Sequence, residues 1–347
     1  MKTDDLTSWA IQQIETKYKD DVCLLLAHKT LTLEKDQSSS PFSYFIPATS
    51  RASALSRTFI IADIGYDLFP RSWERIEKTA DIKEYNTTVL ADAEILWARS
   101  EDDRQRFTSL QARLHANLKN PQYMLQRAKS WFNTTKEIYQ DTLFEERLNK
   151  IRENAGYICD LLAIAVAFVN GQYFKHGQTN QLSELKGMKK LPENFAKLYQ
   201  EIINEPSPEA QKRLCHEIIT STKAFLEAQQ PPVKPCPPDY NELTAWYHEL
   251  SYTWRRVYHW CDSNDPVNAY IWCCMLQNEA EEWGNKYGIA ETDILSFFRS
   301  DNLLALRKRA EYVQKQFIQA IEESGVQLDQ YATVEDFLNS NQHPVQV

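Results

Sequence analysis

The feature that most constrains the fold is a change of rhythm near residue 120. Before it, apolar residues come in short runs, each stopped by proline or by a polar stretch; after it, they recur at helical spacing over much longer segments. Short β-branched or aromatic runs read as strands, whereas apolar positions at i, i+3 and i+4 read as amphipathic helices. The first part therefore predicts a helix at 7–18, strands at 22–27, 42–46, 58–61 and 65–69, a short helix at 72–79 and a last strand at 93–98. Pro47 and Pro70 close two of these strands, because proline cannot donate to a ladder. Beyond Asn120 the pattern predicts helices at 122–133, 135–169, 183–189, 192–204, 208–228, 241–259, 266–287 and 302–324. Pro192, Pro208 and Pro266 fall where a first helical turn tolerates the missing N–H, and Ser207 and Asp265 precede two of them as caps. Gln229-Gln-Pro-Pro-Val-Lys-Pro-Cys-Pro-Pro238 reads as an extended connector. The expected fold class is α+β: a small mixed-sheet domain at 1–118, then an all-α helical bundle at 119–347.

Glycine is scarce where phosphate-binding turns need it. The chain holds 8 glycines in 347 residues, and no two are spaced as G-x-G. That excludes the dinucleotide-binding fingerprint and the phosphate-binding P-loop. A net charge of −9 opposes nonspecific binding to a polyanion, so no nucleic-acid partner is expected. No apolar run reaches the roughly 18 residues of a bilayer span. The longest, from Tyr157 to Val169, is interrupted by Asp160 and reads as a core helix, so no membrane partner is expected either. The opening residues MKTDDLTSW lack the apolar core of a signal peptide, and 7 irregularly spaced cysteines point to reduced thiols. A cytoplasmic protein is expected.

Signals for chemistry are sparse. There is no G-x-S-x-G elbow. His248, His259 and Cys261 lie near one another in sequence, but zinc ligation wants tighter spacing. Trp246, Tyr247, Trp254, Tyr258 and Trp260 around them read as core aromatics at helical spacing. Arg255 and Arg256 can pair with a phosphate or simply lie solvated. The most informative stretch is Thr58-Phe-Ile-Ile-Ala-Asp-Ile-Gly-Tyr-Asp-Leu-Phe-Pro70. Asp67 stands there between apolar residues, in phase with Gly65 and Phe69. It reads either as a metal or base ligand on a sheet or as a turn residue near a strand end, and Asp63 competes with it on the same alternating face.

Taken together, the helix and the Val22–Ala27 strand, then Ser40-Pro-Phe-Ser-Tyr-Phe-Ile-Pro47, then Ile64-Gly-Tyr-Asp-Leu-Phe69, resemble the nucleotidyltransferase fold of the aminoglycoside adenylyltransferase and kanamycin nucleotidyltransferase type. That family carries a G-S turn, a D-x-D strand of the form S-D-I-D-L-F-V-P and a strand with a third acid, which by this resemblance is Asp67. Asn170-Gly-Gln-Tyr-Phe-Lys-His-Gly177, Leu191-Pro-Glu-Asn-Phe195 and Asp265-Pro-Val-Asn-Ala-Tyr270 are similar to the helical substrate-binding partner of such domains. The departures lie at the chemistry. His28 and Lys29 occupy the slots of the G-S pair, and Pro41 and Ser43 occupy those of the two aspartates.

Two-metal phosphoryl transfer needs carboxylates that hold the ions about 3.5–4 Å apart, and one acid cannot do that unaided. The resemblance thus implies a nucleotidyltransferase-like protein with impaired catalysis that binds a nucleotide or small molecule, with His28, Lys29 and Ser43 as binding residues. An alternative is an active transferase acting on a small hydroxylated acceptor such as an aminoglycoside. Asp67 would then act as metal ligand or base, helped by Asp63 or Asp36, and Mg²⁺ is expected only in that case. A third reading is a helical interaction scaffold, which expects a homodimer or hetero-complex through an apolar patch. The metal ligands stay open.

Overall fold

The computed structural model describes residues 3–28, 42–61, 63–231 and 238–340. The protein is α+β, and its chain divides into two compact units, Met1–Pro231 and Pro232–Val347.

The first unit holds a five-stranded mixed sheet in the order β3-β4-β2-β1-β5. Its strands are β1 (Val22–His28), β2 (Tyr44–Pro47), β3 (Arg57–Ile61), β4 (Ile64–Pro70) and β5 (Ala93–Ala98). β1 lies in the interior of the sheet, antiparallel to β2 and β5, while β2 and β4 run parallel. A continuous apolar run suits β1, because both faces of the sheet are covered there. Leu25, Phe45 and Leu68 pack on one face with Ala10 and Ile14 from α1 (Thr3–Gln13) and the π-helical turn after it. Leu24, Leu26, Tyr44 and Ile46 point to the other face.

That second face is where the sequence and the structure part on domain limits. Its apolar cluster runs without interruption from the sheet through α2 (Trp73–Ala80), α3 (Thr88–Ala91), α4 (Glu101–Leu118), α5 (Pro121–Phe144), α6 (Leu148–Val169), α7 (Gln181–Lys186), α8 (Phe195–Asn204) and α9 (Pro208–Ala228). With one core shared across residue 118, the compact unit closes at the proline-rich connector instead.

Three helix limits also differ from expectation. Residues 101–118 form α4, a helix hidden in the sequence by its charged first turns; Ser100 caps it by accepting from the Asp103 N–H at 3.1 Å. The expected break at 133–135 is absent, and the chain breaks instead at Glu145–Arg147. There the Glu145 carboxylate accepts from the N–H groups of Glu146 and Arg147 and from the Arg147 guanidinium, which holds its pKa down at about 2. α8 begins at Phe195 rather than Pro192, after Asn194 in a left-handed conformation.

α6 is buried on all sides from Ile158 to Phe168, as a helix apolar around its whole circumference must be. It ends at Gly171, whose φ of +65° and close approach to the Leu118 carbonyl leave no room for a Cβ, which would sit 2.8 Å from that oxygen. This turn launches residues 172–180 back over the core.

The second unit is a helical bundle of α10 (Tyr240–Asp262), α11 (Pro266–Tyr287) and α12 (Leu303–Glu323), followed by α13 (Val334–Ser340). Asp265 caps α11 by accepting from the Asn268 N–H at 3.0 Å, with Pro266 in its first turn. Trp246, Trp254 and Tyr258 are buried in its core, and Trp246 stacks on Trp283 at 5.0 Å. The aromatic stretch is therefore packing, as its spacing implied.

Six cysteines among the described residues are free thiols. No helix among them is long and apolar enough to cross a membrane.

Candidate functional site

Strand register brings three of the five residues singled out in the sequence to one end of the sheet. Leu26 of β1 faces Tyr44 of β2, and Tyr44 lies beside Phe69 of β4. Two residues further towards that end stand His28 on β1 and Asp67 on β4. They are separated by two strand spacings, roughly 10 Å. Ser43, at the start of β2, lies between them: its Oγ accepts from the His28 backbone N–H at 3.1 Å, and its own N–H donates to the Leu26 carbonyl at 2.8 Å. Asp67 is exposed, and one of its oxygens accepts from the Thr58 hydroxyl on β3 at 2.8 Å. Asp63 does not join them. It sits in the β3–β4 turn with φ +67°, four residues or roughly 13 Å along the chain from Asp67. Lys29, Glu34, Asp36 and Pro41 lie outside the described residues.

The structure adds two residues the sequence reading missed. Arg71 follows β4 and is only 7 % exposed. Its backbone N–H donates to the Phe45 carbonyl at 2.9 Å, and its guanidinium lies over the rings of Tyr44 and Phe69, 5.4 and 5.8 Å from their centroids. Tyr44 is itself fixed by donating its hydroxyl to the Val89 carbonyl at 2.6 Å. Among the described residues no carboxylate pairs with Arg71, and its Nε has no hydrogen-bond partner. Glu84, the nearest acid to affect it, is taken by Arg75 at 3.0 Å. Burial, and then the charge of Arg75, pull the Arg71 pKa down. Asp92 is the second addition. It precedes β5, whose Ala93 faces His28; one oxygen accepts from the Tyr173 hydroxyl at 3.0 Å, and the other is buried with no partner.

His28 stands between these two charges. Burial lowers its pKa first, the Arg71 cation lowers it further, and Asp92 pulls it back. Its Nδ1 is also buried without a partner. His28, Arg71 and Asp92 thus each carry a buried polar atom with no partner among the described residues, Arg71 reaching back over Tyr44 and Phe69 from the far end of β4, whereas nearly all such atoms in folded proteins are paired. Such a grouping can take up a polar ligand, and the unpaired guanidinium selects an anion.

The same geometry tests the magnesium that the resemblance associates with an active enzyme. Mg²⁺ demands near-octahedral oxygen ligation anchored on one or two carboxylates. Asp67 and Asp92 are three strand spacings apart, roughly 14 Å, too far to share an ion. Ser43 Oγ and Asp67 already hold hydrogen bonds. Nowhere among the described residues do three or more His, Cys, Asp or Glu side chains gather as a metal group, including His248, His259 and Cys261. The described donors do not fit a two-metal centre. In the second unit, Arg256 is half-buried and lies over the rings of Tyr252 and Trp272, 4.3 and 4.1 Å from their centroids.

No family model and no curated protein matches the chain. Among solved structures, it is similar to a nucleotidyltransferase-like protein from Exiguobacterium sibiricum 255-15, with 12 % sequence identity and a TM-score of 0.38 over 64 % of this chain and 74 % of that one.

Proposed function

We propose that the first unit binds a small phosphorylated ligand of the nucleotide type at the sheet end, and that it is a nucleotidyltransferase-like protein with impaired transfer chemistry. The observation that carries this reading is Arg71. Arg71, 7 % exposed as a residue and with no carboxylate paired to it among the described residues, carries the cost of burial without the usual counter-ion. A phosphate oxygen pair matches its planar fork, and helps satisfy the Nε that now lacks a partner. His28, neutral near pH 7 because of its lowered pKa, can donate or accept at the same anion. The Ser43 hydroxyl ties the end of β1 to the residue before β2 by accepting from the His28 N–H.

The reading of an active two-metal transferase lacks support at the same place. It needs a second carboxylate converging on Asp67, and Asp63 and Asp92 stand on the wrong parts of the sheet to provide one. Calorimetric titration with ATP and GTP, each with Mg²⁺ and with EDTA, tests the proposal. Binding that survives EDTA is the expected result. Binding that requires Mg²⁺ would return the active-enzyme reading, and no binding in either buffer would remove the ligand site.

A further inference from the structure

Among the described residues a cavity lies on α6 outside the sheet-end site. It has a volume of about 120 Å³, somewhat smaller than an engineered cavity of about 150 Å³ that takes up benzene, so it admits a compact organic molecule. Ile164, Phe168 and Phe174 give it an apolar lining, and Asp160 stands at its polar end. Asp160 is the charged residue that interrupts the apolar run of α6, and it is 6 % exposed. Its Oδ1 accepts from Gln181 Nε2 at 2.6 Å; its Oδ2 accepts from Gln178 Nε2 at 3.0 Å and from the Tyr85 hydroxyl. Gln181 is locked in turn by the Tyr199 hydroxyl at 2.8 Å.

Every one of these donors is neutral. No Lys, Arg or His among the described residues forms an ion pair with Asp160; Arg152 lines the cleft on its other side without reaching it. A carboxylate presents about four lone-pair positions. Three are filled here, which leaves one on Oδ1. A buried carboxylate is normally both hydrogen-bonded and paired with a cation. This one stands in the buried stretch of α6 with its hydrogen bonds in place and no cation paired to it among the described residues, beside a cavity lined by Ile164, Phe168 and Phe174.

We propose that this cavity binds a small organic ammonium ion, with its alkyl end on Ile164, Phe168 and Phe174 and its charged end on Asp160. Tyr85, held edge-on by Trp131 at 6.0 Å and donating its hydroxyl to Asp160, lines the same space. The cavity adjoins the sheet end through Tyr173, which lines it and donates to Asp92, but neither Arg71 nor His28 lines it, and the two sites select opposite charges, so each is tested by its own ligand.

The test is calorimetric titration of the full chain with n-butylammonium and with 1-butanol, which match in size and differ in charge. The ammonium ion is expected to bind at least about tenfold more tightly, the margin of a charged hydrogen bond over a neutral one. Hydrogen exchange of residues 173–181 is expected to slow on adding it. Asp160→Asn, which keeps the shape and removes the charge, is expected to weaken the ammonium ion about tenfold or more and leave butanol unchanged. Butanol binding as well as the ammonium ion, no ammonium binding, protection elsewhere, or undiminished affinity in a folded Asp160→Asn would each overturn the proposal. The wild-type comparison decides it even where the variant does not fold.

Discussion

Replacing Arg71 with methionine separates a binding arginine from a structural one. Methionine has a similar length and no charge. Exchanging a buried ion for an apolar side chain of similar volume is neutral or stabilising by about 1–4 kcal/mol. Against this stands the loss of two contacts, over Tyr44 and Phe69, each contributing about 0.5–2 kcal/mol. The two effects nearly cancel, so Arg71→Met is expected to leave the stability of the free protein within about 2 kcal/mol of wild type. In a unit of this size that is a shift of roughly 4–8 °C in either direction. The ligand response behaves differently. With ATP at a hundred times its Kd, the wild type gains about 2.7 kcal/mol. A hydrogen-bonded charge lost from the site weakens affinity about tenfold or more, which removes about 1.4 kcal/mol of that gain at the same ATP concentration. Thermal melts of both proteins with and without ATP measure all four quantities. A free variant destabilised by more than about 4 kcal/mol would make Arg71 structural. A variant that kept the whole ATP-induced gain would refute the reasoning outright.

Three further outcomes follow from the same geometry. Asp67→Asn removes an exposed negative charge two strands from His28, so ATP affinity measured by calorimetry is expected to hold or rise; a fall confined to Mg²⁺ buffer would mark Asp67 as a metal ligand. Because the folded His28 pKa is lowered, the unfolded chain binds the extra proton as pH falls below about 6.5. Stability from denaturant melts is therefore expected to decline between pH 7.5 and 5.5 more steeply in wild type than in His28→Gln, and parallel profiles would contradict the assignment. Trp254 is wholly buried in the second unit, and Trp254→Ala is expected to cost about 3–5 kcal/mol. Hydrogen exchange should show that loss in α10–α12 while α6 keeps its protection; equal loss in α6 would contradict the division at Pro231.

The strands were legible because their apolar runs are short, punctuated by Pro47 and Pro70, and suited to a sheet covered on both faces. α4 was not, since Glu101–Arg106 masks the apolar positions that follow; the usable signal was Ser100 placed three residues before Asp103, a helix cap. The break at Glu145–Arg147 carries neither proline nor glycine. It arises from a carboxylate gripping its own following backbone, a local competition that periodicity does not register. The limit of the first unit at 231 depends on which face of the sheet the later helices cover, a tertiary fact.

The sheet end shows the same boundary between local and assembled information. His28, Ser43 and Asp67 were singled out through the resemblance, as occupants of the G-S, D-x-D and third-acid slots, and strand register then sets them on neighbouring strands. Arg71 is one residue past a strand, and Asp92 lies between two alanines; each looks like an ordinary surface charge in sequence. Their meaning comes from where neighbouring strands leave them, each with one buried polar atom that has no partner among the described residues. Asp160 was visible as an interruption in an apolar run, but its neutral donors come from two distant segments, Tyr85 and Gln178 with Gln181.

The most direct test is the titration of His28 followed by NMR, its imidazole resonance assigned by comparison with His28→Gln. In the free protein its pKa is expected below the ordinary histidine value; on saturation with ATP in EDTA it should rise, because a phosphate beside it offsets the Arg71 charge and favours the imidazolium. A His28 pKa that stays unchanged while ATP is bound would place the ligand elsewhere and contradict the account.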